Sequence, residues 1–446
     1  MQDDTIDRRT FIGRTAAGTA AMLALAGCAD SGETDDGTDP GDTDTGTEDD
    51  IEAVPDFVEV EDPPDAVYVP THMESMRMLE PIEAGDVALA PMLSYPHPFW
   101  IVAGTDEQSV QREDPEEGRG VHLMFTLWDR ETGVVLPVDD GAEIRLERDG
   151  DPVGTPLSPW TMISQEMGFH FGDNVALPED GTYTVEVTLP PLSTRTTGDL
   201  EDRFQEPETA SFEFVYDDEF RHEVVGGVEW LDEADWGRQG ALPPMDHGGY
   251  DDHHEGHHDD HHEGHHDDHH EGHHDDHHEG HHDDHHEGHH DVPYSALPDV
   301  DEYPGTLLLE ADDGDSGVPE STYDLPSSGD ARFLVTVLES GHRLAGGDDE
   351  EYLLVSPRTP YNRVPLADMS LDVIVERDGE EIAETALEQT LDGTYDHHYG
   401  ATVPSTEAGD SVEIVVRSPP QVARHQGYET AFLEMPSVEL VVPEGG

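Results

Sequence analysis

Residues 181–191 read Gly-Thr-Tyr-Thr-Val-Glu-Val-Thr-Leu-Pro-Pro, with apolar and polar side chains alternating from Thr182 to Leu189. A period of two residues is typical of a strand that buries one face. Turn-forming Asp-Gly pairs occur at 149–150 and 378–379, and no long stretch has the 3.6-residue period of a helix. We therefore predict an all-β fold built as β-sandwiches. Other predicted strands are Val121–Leu127, Ala142–Glu147, Ala210–Val215, Ala331–Leu338, Leu371–Glu376 and Ser411–Val416.

The two globular stretches of the chain resemble each other. Glu147-Arg-Asp-Gly150 recurs as Glu376-Arg-Asp-Gly379, and Phe169-His-Phe-Gly172 corresponds to His397-His-Tyr-Gly400. A strand and a Pro-Pro pair follow at the same spacing in both, at 182–191 and 411–420. The series favours a duplicated sandwich domain.

Five copies of Asp-Asp-His-His-Glu-Gly-His-His fill residues 251–290. Imidazole is the commonest protein ligand for transition metals, and the carboxylates between the histidines concentrate cations. The tract has nothing apolar to bury, so we predict a disordered metal-binding linker that takes up zinc or nickel as well as iron or copper. A solvated acidic spacer is the alternative. The predicted ligands include His253, His254, His257, His258, His261, His262, His265 and His266.

The chain is extremely acidic. It has 105 Asp and Glu against 20 basic residues, for a net charge of −85. Such a charge repels nucleic acid and anionic lipid, which excludes both as partners. It is tolerable where salt screens it, with a Debye length of about 3 Å near 1 M. The composition therefore indicates a halophilic source.

The first residues predict export and anchoring. A twin-arginine signal at Arg8-Arg9-Thr10-Phe11-Ile12 precedes an apolar run too short to span a bilayer, which ends before Cys28. Cys28 is the sole cysteine and the expected lipid attachment point, with a free thiol as the alternative. We expect an extracytoplasmic protein held on the outer face of the membrane. The predicted segments are a signal at 1–28, an acidic tether at 29–56, a sandwich at 57–222, the His-rich linker at 223–295 and a second sandwich at 296–446.

Residues 162–174, reading Met-Ile-Ser-Gln-Glu-Met-Gly-Phe-His-Phe-Gly-Asp-Asn, resemble the bacterial periplasmic iron-transport family of immunoglobulin-like proteins. Met162, Glu166 and His170 match the family motif with one extra residue before the histidine. His72-Met73-Glu74 corresponds to its upstream His-x-Glu. The resemblance covers about 68–216 and implies two immunoglobulin-like sandwiches, ferrous-iron uptake, and copper or iron bound by His72, Glu74, Met162, Glu166 and His170.

The two halves depart from that pattern in different ways. The first reads Ser193-Thr-Arg-Thr196 where the family has Arg-His, whereas the second has Arg424-His425 at that place. No methionine stands at the family's spacing before His398. We therefore expect either an incomplete site in each half, with His398 and His425 as ligands in the second, or two different metal preferences.

The predicted ligands also have structural interpretations. Met162 and Met167 also suit a hydrophobic core, and the acidic residues also suit a solvated surface. His97, in the run Tyr95-Pro-His-Pro98, and His122, inside a strand, we interpret as structural residues. A thioether favours Cu(I), imidazole serves copper, zinc and iron, and carboxylate favours Fe(II).

Recognisable enzyme motifs are absent from the sequence, including the nucleophile elbow, the phosphate-binding loop and His-Glu-x-x-His. We expect a non-enzymatic lipoprotein that captures iron or copper and assists uptake, with a metal permease and a second copy of the chain as candidate partners. The alternatives are a cell-surface buffer for zinc, nickel or copper, and a structural surface protein.

Metal uptake by the His-rich tract should depend on pH. Exposed imidazoles titrate near 6.5 and bind metal only when neutral, so uptake should fall as the pH drops below about 6. Isothermal titration of zinc into the full chain at two pH values measures this. A stoichiometry that does not change with pH contradicts metal binding by the tract.

Overall fold

The strand alternation at Thr182–Leu189 belongs to a fold that is almost entirely β. The computed structural model describes residues 57–104, 109–116, 118–138, 141–245, 292–310, 319, 321–347 and 349–444. The all-β prediction is confirmed, because the described residues form 27 strands and one α-helix. Residues 1–56, with Cys28, and the His-rich repeats at 251–290 lie outside the described residues, so the predictions on them stay predictions.

The first half of the chain contains fifteen strands and the helix. Short 3₁₀ turns lie at Gly198–Leu200 in the first half and at Val300–Glu302 and Thr322–Asp324 in the second half. The elements are β1 His72–Met73, β2 Arg77–Met78, β3 Ile82–Ala84, β4 Val87–Ser94, β5 Phe99–Val102, β6 Val110–Glu113, β7 Gly120–Asp129, β8 Glu143–Arg148, β9 Asp151–Leu157, β10 Trp160–Ser164, β11 Gly168–Ala176, β12 Gly181–Leu189, β13 Arg195–Thr197, β14 Glu208–Tyr216, α1 Asp218–Gly226 and β15 Glu229–Trp230.

The second half contains the other twelve strands. They are β16 Thr306–Leu307, β17 Leu309–Glu310, β18 Ser327–Ser328, β19 Ala331–Leu338, β20 Glu350–Arg358, β21 Ser370–Arg377, β22 Glu380–Ala386, β23 Glu388–Asp392, β24 Asp396–Pro404, β25 Ser411–Ser418, β26 Ala423–Arg424 and β27 Val438–Val441.

Each half has a large sheet and a small sheet, and β1 and β15 form a further two-stranded sheet. In the first half the small sheet has the order β14-β12-β8-β9, and the large sheet runs β2-β4-β7-β11-β10-β26-β5-β6 with β3 on β4. In the second half the orders are β17-β27-β25-β21-β22 and β13-β23-β24-β20-β19-β16, with β18 on β19. The central pairings therefore follow the same order in both halves. Duplication and the immunoglobulin-like assignment stay predictions.

The predicted hairpin turns have the expected backbone. Asp149 and Gly150 both have positive φ, 54° and 85°, between the paired strands β8 and β9. Asp378 and Gly379 do the same, at 54° and 79°, between β21 and β22. Two positive φ values define the tight turn that fits strand twist, which is why Asp-Gly occupies both places.

The halves exchange one strand each. β26, from the second half, pairs in parallel with β10 in the large sheet of the first half, with Met162 opposite Ala423 and Ile163 opposite Arg424. β13, from the first half, pairs in parallel with β23 in the second half. The described residues accordingly belong to a single compact unit. The predicted domain boundaries are not tested by this arrangement.

A fully buried arginine shapes the loop that carries β26. The Arg424 guanidinium donates hydrogen bonds to the backbone carbonyls of Pro420 and Tyr428, at 3.3 and 3.4 Å, and to that of Ala431. Burial lowers the pKa of Arg424 to about 9. Three carbonyls on one planar side chain fix the turn that places His425 immediately after β26.

The large sheet of the first half presents different side chains on its two faces. Leu123, Phe125 and Phe171 belong to the main hydrophobic core, and ring centroids of Phe125 and Phe171 lie 5.1 Å apart. Because side chains alternate along a strand, His122, Met124 and His170 occupy the opposite face. That second face carries the candidate site. Among the described residues, no helix has the length and apolar character needed to cross a membrane.

Candidate metal centre

Four buried histidines from four separate segments meet on the second face of the large sheet. His97 lies in the loop between β4 and β5, His122 on β7, His170 on β11, and His425 just after β26. None is more than 3% exposed. We call these four residues the histidine centre.

The imidazoles of the histidine centre are close enough to share an ion. Nε2 of His170 lies 3.2 Å from Nε2 of His425. The ring of His97 is 4.2 Å from that of His122 and 4.8 Å from that of His425. Ligand nitrogens from His97, His122 and His425 all lie within 4.8 Å of one another. These separations suit a single metal ion between them or two adjacent ions.

The Nδ1 atom of each histidine faces a hydrogen-bond acceptor. His97 donates to the carbonyl of Pro98 at 3.1 Å and His170 to that of Gly168 at 3.2 Å. His122 donates to Oδ1 of Asn174 at 3.0 Å, and His425 to Oε1 of Glu74 at 3.0 Å. A hydrogen on Nδ1 leaves a lone pair on Nε2. Partners of this kind fix the tautomer and ring orientation of metal-binding histidines.

Asn174 couples two of the histidines. Its Oδ1 accepts from Nδ1 of His122 and from the backbone N–H of His97, the latter at 3.3 Å. Its Nδ2 donates to the His97 carbonyl at 2.8 Å. One amide on β11 thus positions both rings. Among the described residues, Nε2 of His97 and Nε2 of His122 have no hydrogen-bond partner.

Burial disfavours the protonated form of His97, His122 and His170. It lowers the pKa of His97 to about 4 and that of His170 to about 3, and it holds the pKa of His122 well below its usual range. A buried imidazole resists protonation because the charged form loses its hydration. The Nε2 lone pairs of these three residues are therefore available at neutral pH without displacement of a proton.

A thioether and a glycine complete this side of the centre. Met162 is fully buried on β10 and stands directly opposite His170. A Cβ at Gly172 would lie 2.9 Å from Sδ of Met162 and 3.1 Å from Nε2 of His122. Because glycine leaves that space open, the sulfur and the imidazole nitrogen border the same small void.

Two glutamates border the centre in different states. Burial alone would raise the pKa of Glu74, but the facing imidazoles of His97 and His425 hold it well below its usual range. Its Oε2 lies 3.6 Å from Nε2 of His97. Glu166 accepts the backbone N–H of Glu74 at 3.0 Å, and burial together with the Glu74 charge raises its pKa to about 8. Glu74 therefore offers a carboxylate to a cation, whereas Glu166 is largely protonated at neutral pH.

His72 lies at the edge of this group. It lines a cleft together with Glu74, Glu166 and His425. Its Nδ1 lies 2.9 Å from the Thr71 hydroxyl, and its ring is 5.2 Å from that of Trp230 on β15. The structure thus places His72 beside Glu74 at the cleft, where its ring contacts the Thr71 hydroxyl and the rings of Phe57 and Trp230.

The corresponding place in the second half has different chemistry. His398 on β24 stands opposite Thr390, as His170 stands opposite Met162. Its Nε2 faces the Tyr352 hydroxyl at 3.3 Å. By the same register Tyr352 occupies the position of His122, and Thr197 that of His425. Two imidazoles of the histidine centre and the neighbouring Met162 thioether thus correspond to hydroxyl groups in the second half.

An ion pair adjoins His398 rather than a set of free ligands. The Arg343 guanidinium donates two hydrogen bonds of 2.6 Å to the buried Asp392 carboxylate, which also accepts the Thr197 hydroxyl at 2.6 Å. These interactions lower the pKa of Asp392 to about 2 against the effect of burial. The carboxylate is therefore already compensated by a cation of the protein.

The structure gathers some of the predicted ligands and separates others. Met162, His170, His425 and Glu74 lie together, and Glu166 and His72 border them, although His425 is 255 residues from His170 in sequence. His398 belongs to another sheet. His97 and His122, interpreted above as structural, both join the centre. The available signals were the proline-flanked loop of His97 and a histidine on an otherwise apolar strand.

Comparisons with known proteins give limited matches. A copper-bound glutamate-to-glutamine variant of FetP from uropathogenic Escherichia coli is 20% identical, with a TM-score of 0.23, and the match covers 32% of this chain and 97% of FetP. FetP as isolated after expression in the periplasm is 18% identical, with a TM-score of 0.21 and coverages of 32% and 95%. Residues 301–441 match a family described as a domain of unknown function, DUF7350. No curated protein matches the chain.

Filling the void at Gly172 should weaken metal binding. In Gly172→Ala the new methyl would meet Sδ of Met162 and Nε2 of His122, both of which must then move. We expect the affinity for Cu(II) or Co(II) to fall by about 10- to 100-fold, measured by competition with a chelator. Gly226→Ala is the matched control, because a Cβ there meets nothing within 4 Å. Equal affinities for the two variants contradict a role for the void.

Proposed function

We propose that this chain is an extracytoplasmic protein that binds a transition metal at the histidine centre, iron or copper first, and assists its uptake without catalysing a reaction. One observation carries the proposal. Four buried imidazoles direct Nε2 lone pairs into one place while acceptors hold their Nδ1 hydrogens, an arrangement typical of metal-binding histidines.

The donor set favours a borderline cation. Imidazole nitrogen serves copper, zinc and iron, the Met162 thioether adds affinity for copper, and the Glu74 carboxylate favours Fe(II). Because the centre contains neutral ligands and one carboxylate, a divalent ion would be only partly neutralised. The high negative charge of the whole chain supports cation capture from solution.

Both halves are required for the centre. His425 reaches it only because β26 of the second half pairs with β10 of the first. This exchange supports a single chain as the binding unit. We expect a second copy of the chain as a partner only in a larger assembly, and not for completing the centre.

The segments outside the described residues fit the same role. A lipid anchor at Cys28 after twin-arginine export would hold the protein beside a membrane permease. The repeats at 251–290 would bind many ions weakly and raise their local concentration near the centre. The tract would thus collect metal, and the histidine centre would select it.

A metal buffer is the second candidate function. Four imidazoles also suit zinc, for which His-rich coordination is common. A buffer would protect the cell from zinc, nickel or copper excess rather than supply a permease. Deletion of the gene distinguishes them, because growth would suffer under metal limitation for uptake and under metal excess for buffering.

Acid should distinguish metal bound by the His-rich tract from metal bound at the histidine centre in the full chain. Tract histidines with the ordinary imidazole pKa of about 6.5 become protonated at about pH 5, whereas His97 and His170, with pKa values near 4 and 3, stay neutral. After copper loading and dialysis at about pH 5 in high salt, we expect the tract to release its metal and the centre to retain its own. Elemental analysis of protein purified without a metal-affinity resin measures this.

Matched variants locate the retained metal. His122→Gln and His170→Gln should lose it, whereas His398→Gln, at the position corresponding to His170 in the second half, should keep it. Circular dichroism checks that each variant is folded. Complete loss of metal from the wild-type chain at this pH, or equal retention by all three variants, contradicts the proposal.

A further inference from the structure

We propose a second metal site beside the histidine centre, formed by thioethers and suited to a soft monovalent cation such as Cu(I). It comprises Met78, Met92 and Met124, with Met76 and Met167 packed against them, and we call it the methionine row. The inference deepens the proposed function, since it adds a position for reduced copper next to the same centre.

Strand register places the three methionine side chains on the same face of neighbouring strands. Met78 on β2 stands opposite Met92 on β4, and Met92 stands opposite Met124 on β7. Directly paired residues have Cβ atoms about 4.5–5.5 Å apart on the same face of a sheet. The three side chains therefore form a continuous line across neighbouring strands.

The line runs from the edge of the sheet to the histidine centre. Met124 stands opposite Gly172 on β11. A Cβ at Gly172 would lie 3.2 Å from Cγ of Met124, close to Sδ of Met162 and Nε2 of His122. The inner end of the methionine row therefore borders the same void as two members of the centre.

Burial varies along the row. Met92, Met124 and Met167 are at most 3% exposed and pack together in one cluster, with the half-buried Met76 and Met78 against it. Met76 and Met167 also line the cleft that contains Glu74. Met76 and Met78 are thus partly open to solvent, while Met92 and Met124 are dry.

The second half shows that this fold does not need sulfur at these places. The positions corresponding to Met78, Met92 and Met124 are Leu307, Thr336 and Leu354. Tyr395 corresponds to Met167, three residues before His398 as Met167 is before His170. Apolar volume alone would be met by leucine, so four thioethers on one equivalent surface are an added chemical property.

Thioether chemistry sets the ligand class. Thioethers are neutral and soft, and they bind Cu(I) and Ag(I) in preference to Zn(II) or Fe(II). A dry site without a carboxylate among its direct ligands also favours a single positive charge, because the desolvation cost of an ion rises with the square of its charge. The row therefore complements the imidazoles, which bind divalent ions.

Methyl NMR of the full chain tests the proposal directly. Protein labelled with ¹³C at the methionine methyl groups is first saturated with Zn(II), which occupies imidazoles in the centre and the tract. Ag(I), the redox-inert probe for Cu(I), is then titrated. We expect the methyl signals of Met92, Met124 and Met167 to shift, whereas those of Met369 and Met435 in the second half do not.

Leucine variants supply the control. The triple variant Met78→Leu, Met92→Leu, Met124→Leu keeps the volume of the core. Its Ag(I) affinity, measured from the shift of the Met167 methyl signal, should be at least tenfold lower than that of the wild type. Met369→Leu should leave the Ag(I) affinity unchanged. Unmoved row signals in zinc-loaded wild type, or shifts equal to those of Met369 and Met435, overturn the methionine row and leave the histidine centre standing. Loss of zinc from the centre would instead count against the proposed function.

Discussion

The parallel pairing of β26 with β10 is the interaction on which the candidate site depends. Two residues, Ala423 and Arg424, align with Met162 and Ile163, and the His425 N–H donates to the Ile163 carbonyl at 3.1 Å. This short pairing brings a ligand from the end of the chain to a sheet formed by residues near its beginning. Without it, His170 would lose its nearest imidazole and Glu74 its hydrogen-bond donor.

The second physical feature of the candidate site is a pair of buried imidazole nitrogens that lack hydrogen-bond partners among the described residues. Leaving a buried polar nitrogen without a partner costs about 1–3 kcal/mol, and Nε2 of His97 and of His122 are both in this condition within the described residues. In the second half, hydroxyls and the Arg343–Asp392 ion pair occupy the corresponding place. The two halves therefore carry different polar groups at equivalent places, which supports the proposed metal binding at the histidine centre.

Local patterns predicted the fold well and the site only in part. Alternation at Thr182–Leu189 and the two Asp-Gly turns are local effects of strand pleating and backbone conformation. The all-β class could therefore be predicted from the sequence. Met162 and His170 could be predicted as ligands because they match a family motif. The strand exchange depends on contacts between residues more than 250 positions apart, which no local pattern encodes. His97 and His122 therefore lacked visible partners, and one histidine in an apolar strand is indistinguishable from a core residue.

Anomalous diffraction from crystals of the copper-loaded chain, recorded at the copper edge, tests the central claim most directly. The account predicts a peak about 2.0–2.1 Å from Nε2 atoms of the histidine centre, with His425 from the second half among the ligands. Copper bound only elsewhere, for example beside His398, with the four buried imidazoles free of metal, would contradict it.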